Sequence, residues 1–308
     1  MKLTKIIMAC IGLAGLLLGM TACSAGETLS YANAERYCVG DTSFTETIEH
    51  LDIDWVSGRV NIVTHSDSSV LLSEETDFSA ADDMRVHWWL DGTTLRVKFS
   101  APGVRLSALG HGKKELTIKL PEAMKLAGIT VNTASADITV EQIEADAVSA
   151  STASGEMDIS CGSDEIELGS ASGNIDLSQS GRTARVQVHT ASGEIRSSLE
   201  QCEKAELDSA SGKIDVSANE LSELSAKAAS GNVSCVIKKA AGRCELRTVS
   251  GEIMLSMPDD AGFTVRIDSV SGDFSSDLAL KKSGSTYVYK DGGAEVFLKT
   301  TSGDMTIR

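Results

Sequence analysis

Residues 166–177 read IELGSASGNIDL, residues 186–197 read VQVHTASGEIRS, and residues 205–216 read AELDSASGKIDV. Aligned on Ser-Gly, all three alternate apolar and polar residues on both sides of a small-residue corner, and period two marks a β-strand with one face buried. The pair recurs with its glycine at Gly58, Gly155, Gly173, Gly193, Gly212, Gly231, Gly251, Gly272 and Gly303, and a further copy has Ala136 in that place. From Ala136 to Gly272 the copies lie 18 to 21 residues apart, and the last step, to Gly303, is 31. Two residues after the glycine every copy is apolar: Val60, Ile138, Met157, Ile175, Ile195, Ile214, Val233, Ile253, Phe274 and Met305. Five and seven before it stand further apolar residues, such as Leu168 and Ile166, with a polar one such as Glu167 between. Each unit reads as strand, corner, strand and a short connection.

An antiparallel meander and a coil with one repeat per turn both fit such units. The coil is preferred, because a meander does not require the same small residues at every second turn. Corners stacked directly on one another, about 4.8 Å apart, do. The expected fold class is all-β: a single-stranded β-solenoid resembling a parallel β-helix, with 19–20 residues per rung and capped at both ends. The expected corner residues are Ser154, Gly155, Ser172, Gly173, Ser192, Gly193, Ser211, Gly212, Ser230, Gly231, Ser250, Gly251, Ser271 and Gly272. Glycine would supply a backbone angle that strains other residues. Stacked serines would link hydroxyls along the column, and Ala153, Ala171, Ala191 and Ala210, two before the glycine, would line a tight inner corner.

Composition agrees with an aliphatic coil. Aromatic residues are 4% of the 308, and none occurs between Ser100 and Gly262. A compact core of that length would normally hold several, since they carry the large buried areas. Only three prolines and 42% hydrophobic residues exclude disorder. Residues 42–120, holding Trp55, Trp88 and Trp89, read as an N-terminal cap with the first rungs. Residues 121–308 read as the repeat, with Tyr287, Tyr289 and Phe297 around Lys290–Gly293 as a C-terminal hairpin cap. The formal charge of −16 leaves no basic face for phosphates, so no nucleic-acid partner is expected.

The first 23 residues carry their own message. Lys2 and Lys5 precede an apolar stretch from Ile6 to Met20, too short to span a bilayer comfortably, and Thr21-Ala22 stand before Cys23. This reads as a lipoprotein signal peptide over 1–22 with lipidation at Cys23. A lipid-anchored tether over 23–41 would then hold the protein on the outer face of the cytoplasmic membrane, exposed to the envelope.

Chemistry-bearing residues form no catalytic pattern. Cys38, Cys161, Cys202, Cys235 and Cys244 contain no Cys-x-x-Cys and read as small buried hydrophobes, with a Cys235–Cys244 pair between neighbouring rungs open as an alternative. His50, His65, His87, His111 and His189 are scattered, so no metal and no cofactor is expected. Serines recur without a histidine at a matching period. The residue after the glycine is mostly acidic or Asn, as in Asp137, Glu156, Asn174, Glu194, Glu252, Asp273 and Asp304. That column reads as a solvated face, with weak divalent-cation binding as the sharper alternative.

LTIKLP at 116–121, ITVNTASADITV at 129–140 and TSGDMTI at 301–307 together resemble the bacterial "putative adhesin" proteins, a β-strand-repeat domain of unknown function found in envelope proteins. The resemblance runs from about Thr45 to Arg308 and departs from the pattern at Ala136. It implies a β-solenoid and a surface setting, and it defines no catalytic residues that could be carried over. The resulting expectation is a non-catalytic envelope lipoprotein that presents a β-face for adhesion, or for binding a surface polymer or protein partner. The alternatives are a polysaccharide-active β-helix enzyme, which would need a break in the repeat with converging acid and base groups, and an envelope-stress sensor or regulator.

Overall fold

The computed structural model describes residues 28–105, 113–239, 242–284 and 286–308. Cys23 and the signal segment lie outside them. No α-helix occurs among the described residues; strands are interrupted only by turns and by short 3-10 segments at Ala34–Arg36 and Asp82–Met84.

The centre of the molecule is a parallel coil. Lys125–Thr152, Met157–Ser172, Ile175–Ser192, Ile195–Ser211 and Ile214–Ser230 stack in sequence order, each parallel to the next. Ile138, Met157, Ile175, Ile195, Ile214, Val233 and Ile253 stand in one register column, as the repeat requires. A second column joins Val148, Ile166, Val186, Ala205, Leu224 and Cys244. These side chains are essentially inaccessible to water. Burying each Ile, Val or Leu contributes about 1.5–3 kcal/mol, so a coil gains several such increments without any aromatic ring.

The alternation inverts the expected corner. The inward positions run seven, five and three residues before the glycine. The third is a hydroxyl, at Thr133, Thr152, Ser170, Thr190, Ser209, Thr248 and Thr300, all buried. Thr133 donates to Thr152 Oγ1 at 2.8 Å, and Thr152 accepts from the Gly155 N–H at 3.0 Å. The alanines two before the glycine, expected as an inner lining, are half-buried on the outer side, and the serines just before it are exposed. A buried column of hydroxyls is therefore inside the corner, two residues before the serines expected to form a ladder. Beyond Thr133–Thr152 it bonds to main chain, as Ser209 and Thr248 do to the Gly193 and Gly231 carbonyls.

At both ends spatial order departs from sequence order. Ala294–Ser302 lies between Arg243–Ser250 and Phe263–Ser271, parallel to both, and Met305–Ile307 lies between Ile253–Ser256 and Phe274–Ser276. The final copy is thus the penultimate coil. His50–His65 likewise sits between Lys125–Thr152 and an outer coil made of Thr94–Lys98 and Lys114–Pro121. His87–Asp91 and Val70–Thr76 cover that outer coil antiparallel, and Cys38–Val39 and Thr42–Phe44 cover those in turn.

The C-terminal hairpin also differs from expectation. It is built from Lys281–Ser283 and Thr286–Tyr289, and the second strand pairs antiparallel with Phe263 to Arg266. Lys290–Gly293 is not its turn but the step that carries the chain across Gly262 to the other edge of the same strand. A side chain at Gly262 would meet the Gly292 carbonyl oxygen at 2.1 Å. From Leu29 onward, the segment expected as a tether packs on the N-terminal cap. Tyr31 donates to the Ser100 carbonyl and Tyr37 stacks edge-on against Trp89.

Candidate binding faces of the coil

At the corner of each coil but the one that carries Ala136, glycine stands where a side chain would not fit. A Cβ at Gly155, Gly173, Gly193, Gly212, Gly231, Gly251, Gly303 or Gly272 would sit 1.8–2.2 Å from the carbonyl oxygen of the residue stacked against it. At Gly155, Gly173 and Gly193 the backbone is outside the left-handed region, so close approach, not the expected strained angle, excludes larger residues there. Ser172, Ser192, Ser211, Ser230, Ser250 and Ser271 form one exposed register line with Ser302, and Ser154 is exposed on the coil before.

The column after the glycine has a structural task. Asp137, Asn174, Asn232 and Asp304 each accept the backbone N–H of the matching residue on the next coil, at 2.9–3.0 Å. Short Asx side chains reach that donor, and the intervening Glu156, Glu194 and Glu252 supply it. Among the described residues, no group of three or more His, Cys, Asp and Glu side chains could hold a metal ion.

Two faces flank the corner. After it, Ser160, Ser178, Ser198 and Ser217 share one outward line, next to Asp158, Asp176, Arg196 and Asp215 on another. Asp176, Arg196, Asp215, the three later serines, Ser234 and Val236 line an open depression of about 350 Å³. Arg196 reaches Asp176 at 3.4 Å and also pairs with Glu194, while Lys213 pairs with Asp215 at 2.8 Å.

Before the corner, the outward line runs His189, Asp208, Lys227, Arg247, Lys299, Asp268. Its neighbour includes Glu206, held by Lys204 at 2.8 Å and Arg185 at 3.5 Å. Hydrogen bonding to the Lys204 ammonium keeps the Glu206 carboxyl below the usual glutamate range. Farther round, Arg182, Arg185, Gln201, Glu203, Lys204 and Glu220 edge a groove of about 700 Å³ floored by Cys202. Arg182–Glu203 and Lys239–Glu220 ion pairs cross that region. Burial pushes the Cys202 thiol up to about 11, so it stays protonated at neutral pH and is a poor nucleophile.

Cys161, Cys202, Cys235 and Cys244 are buried free thiols, and Cys38 is exposed. Cys235 and Cys244 belong to one coil, not neighbouring ones. The adjacent Cys244 side chain, together with burial, raises the Cys235 pKa well above the usual thiol value. The Trp88 indole N–H donates to the Gly40 carbonyl, and Trp89 lies against Tyr37 and Arg36, so both aromatics serve the cap.

No curated protein matches the chain. Solved structures resemble it at low identity, three of them as follows. One is named a "putative cell adhesion protein", from Clostridium sporogenes ATCC 15579 (12% identical, 88% of this chain and 99% of that one, TM-score 0.26). Another is named a "putative adhesin", from Bacteroides fragilis NCTC 9343 (13%, 89% and 98%, TM-score 0.41). A third is named a "putative lipid binding protein", from Parabacteroides distasonis ATCC 8503 (12%, 87% and 96%, TM-score 0.47). A family model described as Toastrack DUF4097 matches residues 48–308, nearly the span over which the sequence resembled envelope β-repeat proteins. With its stacked β-coils and its match over residues 48–308, the chain belongs to the Toastrack DUF4097 family.

Proposed function

We propose that the protein is a non-catalytic binding module of the bacterial cell envelope. It is held at the outer face of the cytoplasmic membrane by lipid on Cys23, and it presents the face after the corner to a repeating surface polymer. The observation that supports this reading is the register of Ser160, Ser178, Ser198 and Ser217 beside Asp158, Asp176, Arg196 and Asp215. A ligand lying along that face meets a hydroxyl and a charge at every rung, about 4.8 Å apart. Such an array favours many weak contacts with a repeating partner over one deep pocket.

Co-sedimentation of the full-length protein in detergent with insoluble cell-wall polymer tests the face. The wild type should pellet, and Ser198→Trp, which fills the depression, should stay in the supernatant. Equal pelleting of the two would remove the face from consideration, and shortening of the polymer during incubation would favour the enzymatic alternative. The anchor has its own test. Cys23→Ser should move the protein from the membrane to the soluble fraction, and unchanged membrane retention would defeat the lipidation reading.

A further inference from the structure

The two ends of the coil are finished differently. At the N-terminal end, antiparallel strands pair with Thr94–Lys98 throughout and with Lys114–Pro121 as far as Lys119. At the other end, Thr286–Tyr289 reaches only Phe263 to Arg266 of the outermost coil. Among the described residues, no strand pairs with the outer side of Ile267 to Ser276. The missing neighbour shows in the side chains. The hydroxyl position that is buried at Thr190, Ser209, Thr248 and Thr300 is exposed at Ser269, and Val270 is 81% exposed.

The free hydrogen-bonding groups follow from the pairing on the inner side. The Ser271 carbonyl accepts the Gly303 N–H at 3.1 Å, and the Asp273 carbonyl accepts the Met305 N–H at 2.9 Å. Odd-numbered residues therefore bond inward, and the N–H and C=O groups of Asp268, Val270 and Gly272 face away from the sheet. Such a row of unpaired groups is a template for another strand.

We propose that the edge from Ile267 to Ser276 is a strand-addition site that takes an extended, basic segment of a partner polypeptide. Backbone pairing to Asp268, Val270 and Gly272 supplies affinity, and side-chain pairing supplies selection. Asp268, which Lys299 already pairs from the inner side, and Asp273 flank the exposed Val270, so a segment that sets an apolar residue against Val270 and lysine or arginine toward Asp273, with a second cation sharing Asp268, matches the edge. The net charge of −16 favours the same partner. A second copy is the poorer occupant, because it opposes this charge with its own and meets Asp268 and Asp273 with the same residues.

This site deepens the binding-module reading, yet it is read by different variants. The probe is a labelled ten-residue peptide alternating lysine and valine, with a glutamate–valine peptide and a lysine–valine peptide N-methylated along one edge as controls. The lysine peptide should bind the full-length protein in detergent and slow hydrogen exchange at Asp268, Val270 and Gly272. The other two should bind at least about tenfold more weakly.

Val270→Pro removes an outward N–H that has no partner, at an edge position where proline is tolerated, and should also weaken binding about tenfold or more. Asp268→Lys keeps the backbone and should exchange the preference to the glutamate peptide. Equal binding of the methylated peptide, or full binding by Val270→Pro, would reduce the effect to charge alone and overturn the site. Concentration-dependent dimers that protect the same amides without peptide would overturn it in favour of a second copy. Pelleting with cell-wall polymer should be unchanged in Val270→Pro, so failure at the edge and failure of the broad face are separable.

Discussion

Gly193 shows what a single atom decides in this coil. Its missing Cβ would lie 2.1 Å from the Gly173 carbonyl oxygen, which is main chain held by the coil beyond. Gly193→Ala should therefore cost about 3 kcal/mol or more, at the upper end of overpacking effects. Gly181 is the internal control: it holds φ +71° with nothing within 4 Å of where a Cβ would stand. Gly181→Asn, which tolerates that angle, should change stability by about 0.5 kcal/mol or less. Urea titration of both variants checks the contrast, and equal costs would mean that the stacked coils yield to a methyl group and that contact does not select glycine at Gly193. Lys114 is the corresponding decision at the first corner. Its side chain and that of Glu74 are 1% exposed and paired at 2.6 Å, and its ammonium lies 4.1 Å from the Phe99 ring centroid and 5.1 Å from that of Trp55. Burial lowers its pKa, with Glu74 opposing the shift. Lys114→Ala strands a buried carboxylate and should cost about 3–5 kcal/mol, whereas Lys114→Met with Glu74→Leu should recover most of that loss. If the double variant were no better than the single, the lysine's value would lie in the rings and carbonyls around it, not in the ion pair.

Individual coils were the most legible part of the sequence, because period-two alternation is local and survives without knowledge of any partner. The Ile138, Met157, Ile175, Ile195, Ile214 column stands where the repeat puts it. The corner was misread by one residue, since the change of direction at Ser-Gly reverses which parity faces inward. The signal was present in the recurrent Ser or Thr three before the glycine, but polarity argued for solvent. Of the outward faces, the serine and charge lines were readable as columns, while their ion pairs depend on rotamers and neighbouring coils. Glu206 makes those pairs testable. Lys204 and then Arg185 depress its pKa in the folded state, so its contribution is present above the ordinary glutamate value, near pH 4.5, and is lost as pH falls through the lower folded value. Glu206→Gln should lower stability by about 0.5–1 kcal/mol at pH 7, and the gap from wild type should close in acid. Urea midpoints across pH 3 to 7 read this directly, and a gap that persisted below the folded pKa would assign the loss to packing of the amide, not to charge.

The whole molecule is closed by segments that the chain supplies out of turn, which no local pattern encodes; the 31-residue step to Gly303 and the long step from Gly58 to Ala136 were its traces in the spacing. In a coil laid down in sequence order, removing the last copy would only fray an end. Here residues 294–308 separate two coils that come earlier in the chain, pairing with Arg243–Ser250 on one side and Phe263–Ser271 on the other. Deleting them should leave each neighbour unpaired on the side that faced the insert and uncover Leu246, Leu255 and Val265, which are fully buried in the intact protein. Phe263–Ser271 and the two short hairpin strands beyond it would then retain only one another, and so small an antiparallel sheet without a packed face is marginal in water. The expected result is loss of hydrogen-exchange protection throughout Phe263–Ser276, although every one of those residues is still present, while Ile175–Ser192 keeps its protection. Replacing residues 278–289 with a Gly-Ser linker should be milder, because Ala294–Ile307 can still insert and only the outermost half-strand loses cover. Persistent protection of Phe263–Ser271 in the truncated chain would mean that the outer coil docks on Arg243–Ser256 by itself, and that the inserted C-terminus adds length without locking the end.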